Sequence, residues 1–425
     1  MMNMFSNKWF LGLLLTTAYS LYVLSIVGCS DGSYGEPIIT VDCGSGWVWD
    51  GTVCSRRTDG FNGSIYSITP ALDGSNDLYA AGAFTHFKNE AVNDIVRLNN
   101  NGSLDREFVS NANFYTLQVV VPANDGSDKV YVGGYLSYHG PTLPTHGIAR
   151  LDLDGTTDRS FDTGTGIGLD VQWIVPAIDG SGDVYVGGSP VGDLGATFES
   201  WLIRLNGDGS HDTDFNSYFK IGGSIISLAT DGSGDLYISI NIAPYIVRLN
   251  DDGSIDTSFD TGPIGFGNIS SGFKPWITAI KATDDGSGDV YVAGYFNEYN
   301  NISASGLVRL NSDGSLDSEF IADNKVFNFQ AGHVIVPALD GGGDIYVTHT
   351  DGQNIVRLND DGTIDAGFGI SSEGFDNDGR LSTISDASIA IDGSGDIYVA
   401  GSFTHYNLTP VANLARFTSS GVLVK

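Results

Sequence analysis

From about residue 60 onward, hydrophobic positions gather into short runs, and Asp/Gly-rich turns cut between them at near-regular intervals. One stretch shows the pattern. Val171 to Ile178 is a β-branched run, Asp179 to Asp183 a turn, Val184 to Gly188 a second run, and Trp201 to Asn206 a third. The Gly207-Asp208-Gly209 turn then leads to a short fourth run ending at Phe215. Runs this short, rich in Val, Ile and Tyr and bounded by Gly and Asp, predict antiparallel strands joined by tight turns. No segment sustains a helical period, which argues against stacked helices.

Two phrases organise these runs into a repeat. An aliphatic pair, then Arg, then Leu or Phe recurs around Arg97, Arg150, Arg204, Arg248, Arg309, Arg357 and Arg416, at spacings of 53, 54, 44, 61, 48 and 59 residues. Upstream of each Arg lies an Asp-Gly-Ser-Gly-Asp-like turn, beginning at Asp73, Asp125, Asp179, Asp231, Asp285, Asp340 and Asp392. A lone four-stranded sheet has two faces and no partner, so one unit buries nothing by itself. Circling such sheets about an axis covers both faces and leaves only short edges. The expected fold is all-β: a seven-bladed β-propeller of four-stranded antiparallel blades over residues 60–425. Because the seventh unit runs out at Lys425, its blade is expected to be finished by residues near Asp59 to Gly63.

The residues that reach this conclusion also carry a resemblance. Asp285-Gly-Ser-Gly-Asp289-Val-Tyr-Val-Ala-Gly294, followed by Gly306-Leu-Val-Arg309-Leu-Asn-Ser-Asp-Gly314-Ser-Leu-Asp317-Ser-Glu-Phe320, resembles the delta-60 repeat of bacterial surface and secreted proteins. The likeness extends from about residue 60 to residue 425. It implies a β-propeller and brings no common reaction with it.

The first 28 residues differ from the rest: Lys8 is their only charge, and Trp9 to Gly28 is an apolar run. That layout predicts a secretory signal. Ile26-Val27-Gly28-Cys29 resembles the lipobox of bacterial lipoproteins, which implies that Cys29 is acylated and becomes the mature N-terminus; an uncleaved membrane anchor is the alternative. Residues 29–59 then form a linker, in which Cys43 and Cys54 are the remaining thiols of an exported chain and are expected to form a disulfide. A stapled knob is the plain reading of that loop, and a carbohydrate-binding module presenting Trp47 and Trp49 the alternative. Localisation in the bacterial cell envelope follows, on the outer membrane or cell surface. The net charge of −31 repels phosphate polyanions and anionic headgroups, so neither nucleic acid nor a membrane surface is an expected partner beyond the lipid on Cys29.

An Asp lies eight residues after the Arg in six units, giving the pairs Arg97/Asp105, Arg150/Asp158, Arg204/Asp212, Arg248/Asp256, Arg309/Asp317 and Arg357/Asp365. A three-residue hairpin loop sets such residues opposite each other, so they are expected as structural ion pairs repeated by duplication. In the seventh unit Val424 takes the Asp position. Calcium in the third-to-fourth hairpin turn is opposed by the fixed Arg at the first ligand position. In the Asp-Gly-Ser-Gly-Asp turns calcium is the alternative to ordinary backbone capping by Asp, so no cofactor is expected.

Asp162-Thr163-Gly164 and Asp260-Thr261-Gly262 have the wording of aspartic-protease loops but follow the Phe that ends a unit, which makes them linkers. His86 and His405 occupy one repeat position, as duplicated loops would, and no third metal ligand is evident. The chain holds no HExxH, GxSxG or P-loop.

Tight turns between strands one and two and between strands three and four share one face, which is expected to be acidic and uniform. The opposite face carries variable loops with aromatics, where Phe87, Tyr138, His139, Tyr299 and Tyr406 are expected to bind ligand, although Phe84, Phe296 and Phe403 beside them read as core. The functional expectation is a monomeric, non-catalytic binding or scaffold lipoprotein for envelope or extracellular protein or glycan. The alternative is a polysaccharide lyase or hydrolase with its site in the axial channel or on the variable face.

Overall fold

The computed structural model describes residues 60–424 except 111–115, 136–146, 165–166, 191–199, 216–219, 222–224, 268–273, 305, 323–330, 350–353, 370–373 and 378–381, together with six short strands before residue 60. Two compact units divide between Asp59 and Gly60. In the first, Thr16–Thr17 pairs with Ser20–Leu21, Val23–Ile26 with Ile39–Asp42, and Trp47–Trp49 with Cys54–Arg56, all antiparallel. Cys29, Cys43 and most of the signal-like segment lie outside the described residues.

In the second unit each repeat folds as one antiparallel sheet whose second strand lies between the first and third. The first strands are Ile65–Pro70, Thr116–Pro122, Leu169–Pro176, Ile226–Leu228, Trp276–Ala282, Ala331–Pro337 and Thr383–Ile389. They touch in that order, and the last touches the first, so the sheets close into a ring with one free edge of each first strand toward the axis. In five of them the pairing shifts by one residue, as between Ile65 and Ser67 or Ile384 and Asp386, a bulge that adds twist at the inner edge.

Burial follows from the ring. Leu78–Gly82 and Leu236–Ser239, second strands, are buried along their whole length because a neighbouring sheet covers each face. The core is accordingly a series of layers, each shared by two sheets. Tyr79 and Phe108 of the first repeat pack with Leu117 and Val130 of the second, and the layer that closes the ring joins Ile68 and Val96 to Ala400.

A linker lock ties one sheet to the next at five junctions among the described residues. The residue after the closing Phe donates its N–H to a carbonyl in the next repeat's third-to-fourth turn: Val109 to Asp154 (2.8 Å), Asp162 to Asp208 (2.8 Å), Asp260 to Asp313 (2.9 Å), Ile321 to Asp361 (2.9 Å) and Gly369 to Ser420 (3.1 Å). The next turn residue is Gly155, Gly209, Gly314, Gly362 or Gly421, each with positive φ. A Cβ there would come within 2.9 Å or less of the docked linker backbone.

The fourth strand departs from expectation. In the first six repeats the run expected to form it makes a single bridge, such as Leu98 to Leu104 or Leu310 to Leu316, and in the third repeat Lys220–Ile221 supplies a fourth strand by pairing with Ser200 and Trp201. The Asp after that bridge turns the chain away: Oδ1 of Asp105, Asp158, Asp212, Asp256, Asp317 and Asp365 accepts the N–H two residues on, at 2.7–2.9 Å. That bend carries the closing Phe into the interface. The seventh repeat has Val424 instead, and its own Leu423–Val424 pairs with Leu414–Phe417. The last sheet is therefore not completed by residues near Asp59 to Gly63. Those residues bind elsewhere: Phe61 N–H donates to the Ala412 carbonyl (3.2 Å), and Asn413 Nδ2 to the Phe61 carbonyl (3.0 Å), in the loop before the third strand.

The lock predicts an asymmetry between equivalent glycines. Gly102 has φ of 74° and nothing within 4 Å of a Cβ, whereas a Cβ on Gly314 would lie 2.7 Å from the Asp260 carbonyl carbon. In urea unfolding, Gly102→Ala is expected to cost about 1 kcal/mol, the left-handed strain alone. Gly314→Ala should cost about 3 kcal/mol or more. Equal losses would contradict the lock.

Candidate functional site

The repeated charges come together at the turn end of every sheet. Tyr of the second strand stands opposite Arg of the third in all seven, from Tyr79 and Arg97 to Tyr398 and Arg416. In the second repeat the Arg150 guanidinium lies 5.2 Å from the Phe161 ring, whose centroid is 5.3 Å from that of Tyr131. The Tyr hydroxyl reaches the next sheet: Tyr131 donates to the Gly182 carbonyl at 3.0 Å, Tyr291 to Gly343 at 3.3 Å, and Tyr237 to Gly288.

In the first six repeats Arg faces the Asp eight residues on, and the guanidinium takes one of two positions. Arg150 and Arg309 hold Asp158 and Asp317 at 2.6 Å, and Arg204 holds Asp212 as closely. Their other nitrogens reach the following repeat: Arg150 donates to the Gly207 carbonyl (2.9 Å), Arg204 to that of Asp251 (2.7 Å), and Arg309 to the Asp360 carboxylate. Arg97, Arg248 and Arg357 lie 3.6, 3.4 and 3.5 Å from Asp105, Asp256 and Asp365, and turn toward the first-to-second turn. There Arg97 binds Asp73 and Asp77 at 2.5 and 2.9 Å, while Arg416 binds Asp392 and Asp396 at 2.7 Å each. In the second repeat Lys129 replaces the turn's second Asp and itself binds Asp158 at 2.9 Å. Burial opposes ionisation of Asp158, but bonds from Ser160, Lys129 and Arg150 outweigh it and hold the carboxyl below the usual range.

The first carboxylate of each turn considered for calcium accepts the N–H two residues on, as when Ser75 N–H donates to Asp73 at 3.0 Å, and in the first, fourth, sixth and seventh repeats it is also bound by Arg. Among the described residues no group of three or more His, Cys, Asp or Glu is arranged to hold a metal ion. Asp162 and Asp260 belong to locked linkers, each capping the Gly two residues on at 2.8 Å. His86 and His405 each contact the hydroxyl of the preceding Thr, at 3.0 and 2.9 Å.

Three of the aromatics expected to bind ligand are instead core. Phe87, Tyr299 and Tyr406 are 5%, 1% and 6% exposed. Each sits in a small hairpin joined by the chain segment that leads into its repeat, so that Phe61 meets Phe87 (4.7 Å), Phe266 meets Tyr299 (4.9 Å) and Phe375 meets Tyr406 (4.9 Å). The Tyr299 hydroxyl donates to the Gly314 carbonyl at 2.5 Å. Tyr138 and His139 lie outside the described residues.

A cavity of about 330 Å³ opens where the first strands of the fourth to seventh repeats converge. Consecutive residues of the fifth, sixth and seventh repeats' strands line it, such as Thr278 to Lys281 and Ser385 to Ser388, as happens where strands offer an unpaired edge, and Ile225 of the fourth repeat joins them. Its two charges are Lys281 and Asp386. Six stretches of the chain, 75–108, 126–161, 231–259, 286–320, 342–368 and 393–423, match the model of a family described as domain of unknown function (DUF5122) beta-propeller. Among solved structures, that of an ancestral GH74 enzyme is similar over 89% of this chain and 47% of its own, with a TM-score of 0.52 and 12% identity. The chain is a β-propeller. A functionally unknown protein from Desulfotomaculum acetoxidans aligns at 14% identity over 71% of this propeller chain and 84% of its own, with a TM-score of 0.43. The WD40 propeller domain of Doa1 aligns at 12% identity over 84% and 94%, with a TM-score of 0.45. At these identities the likeness concerns the fold alone. No match was found among curated proteins.

Within the propeller, Lys281 and Asp386 break the repeat. Four residues before the turn Asp, the repeats carry Thr69, Val121, Val175, Ser227, Lys281, Val336 and Ser388; six before it, Ser67, Val119, Trp173, Ile225, Ala279, Val334 and Asp386. Setting the copies in register column by column exposes both charges from sequence, a comparison the turn-and-Arg reading omits. Asp386 also closes the ring, since its Oδ2 accepts the Ile68 N–H at 2.8 Å. Loss of water around Asp386 pushes its carboxyl up to about 6, against bonds from Ile68, Ala387 and Ser67. Loss of water likewise lowers the pKa of the Lys281 ammonium, against the attraction of Asp386 and Asp284.

Two tests follow. Tyr299→Ala should cost about 3–5 kcal/mol in unfolding experiments, as a buried ring does, whereas an exposed ligand contact would cost almost nothing. Asp386 binds its proton more tightly folded than unfolded, so the stability this confers is full below pH about 4 and disappears as pH rises through about 6. Asp386→Asn should therefore gain on the wild type between those pH values, by on the order of 2 kcal/mol, in melting curves. Parallel pH profiles would show that the carboxyl is not desolvated.

Proposed function

We propose that this propeller is a non-catalytic binding module of the bacterial cell envelope, anchored through lipid on Cys29, with its ligand site in the axial cavity. The partner is an envelope or extracellular protein or glycan. One observation carries the reading: in a ring whose Arg and turn Asp residues recur from repeat to repeat, two charges that do not recur, Lys281 and Asp386, line one cavity. Duplication accounts for repeated residues, and a departure from the repeat at a rigid concave site is what ligand specificity requires. An enzyme acting on polysaccharide at the same cavity is the second reading, favoured by the placement of both charges there.

Screening the purified chain against glycan and envelope-protein arrays, with and without Ca²⁺, tests the proposal. Binding that is lost in Lys281→Met, with no turnover of the bound partner, is the expected result; turnover of an arrayed polysaccharide would establish the enzyme instead. For the anchor, radiolabelled palmitate is expected on the wild type and absent from Cys29→Ala. Retention of residues 1–28 without label would show an uncleaved anchor.

A further inference from the structure

We propose that the axial cavity takes a small zwitterion, a free amino acid or the same group carried by a larger partner, with its carboxylate at Lys281 and its ammonium at Asp386. This rests on the cavity being the ligand site.

The cavity is lined by one ammonium and one carboxylate, from the fifth and seventh repeats on either side of the sixth, together with the hydroxyl-bearing Thr278, Ser385 and Ser388. Lys281 feels Asp386 and Asp284 through space, and its ammonium forms no ion pair within 4 Å among the described residues. Asp386 accepts the Ile68 N–H on Oδ2, the Ala387 N–H on Oδ1 at 2.9 Å and a bond from the Ser67 hydroxyl, which fixes the carboxylate while leaving a lone pair for a further donor. A solute bearing both charges supplies each with a partner of opposite charge.

Two alternatives fit less well. A simple anion such as a uronic acid answers Lys281 but leaves Asp386 facing like charge, and it must approach a chain of net charge −31. A neutral sugar leaves the ammonium without a counter-charge. A zwitterion carries no net charge, so the field of the whole molecule does not oppose it. A space of about 330 Å³ is at the small end for ligand pockets and suits a compact solute.

Isothermal titration of the full chain with alanine, glutamate and alanyl-alanine, alongside acetate, methylamine, glucuronate and glucose, tests this directly. At least one amino acid or dipeptide is expected to bind about tenfold more tightly than every single-charge or neutral probe. Lys281→Met and Asp386→Asn should each weaken that binding by about tenfold or more. The Asn variant keeps an acceptor for Ile68, so a melting curve close to that of the wild type at pH 4 separates lost affinity from lost fold. Glucuronate or glucose binding best, and doing so through Lys281, would overturn the zwitterion while leaving the axial site standing. Binding by no probe, or binding that neither variant alters, would overturn the zwitterion proposal; in the latter case the axial reading falls with it.

Discussion

The main sheet of each repeat is apolar on both faces, and no such sheet can cover itself. That constraint dictates the rest. Second strands buried from end to end, as at Leu78–Gly82, are stable only where neighbours pack on both sides, and the layered core shows that each apolar cluster belongs to a pair of sheets. The polar repeat serves the same end. Arg and Tyr at the turn end reach across to the next repeat's backbone, and the linker N–H locks into the next turn against a glycine that no other residue can replace without strain. Ion pairs at exposed sites contribute little, but here the guanidinium packs against an aromatic ring and is sheltered, where its bonds also fix the spacing of sheets.

What the repeat fixes also limits what it can do. Residues that recur from copy to copy are occupied in building the fold: Asp105 and its five counterparts face Arg and also bend the chain out of the fourth strand. Chemistry specific to one ligand has to come from positions where copies differ. At the axis the first strands leave an edge unpaired, and there Lys281 and Asp386 stand where the other repeats carry uncharged residues. Asp386 does two things at once, binding the Ile68 N–H across the ring closure and charging the cavity.

Much of this is legible in the chain itself, and the departures have physical causes. Strand order, the tight turns and the facing of Arg97 and Asp105 follow from local spacing, because hairpin geometry is set by a few residues. The fourth strand is shorter than expected because an Asp that continues a hairpin and an Asp that ends it look the same until the side chain is seen to accept the N–H two residues on. Phe87, Tyr299 and Tyr406 read as exposed because their covers, Phe61, Phe266 and Phe375, come from segments outside the repeat phrases. The axial charges escape notice for a different reason: each is ordinary in its own strand and stands out only against the other six copies.

Deleting the seventh repeat, residues 370–425, and following unfolding in urea tests the central claim, that sheets survive only by closing on one another. In a closed ring the deletion strips the cover from the first and sixth sheets together and removes the Asp386 and Asn413 ties to the first repeat. The account predicts that the truncated chain loses its cooperative transition. A cooperative transition with only slightly reduced stability, as when one end repeat is taken from an open stack, would contradict it.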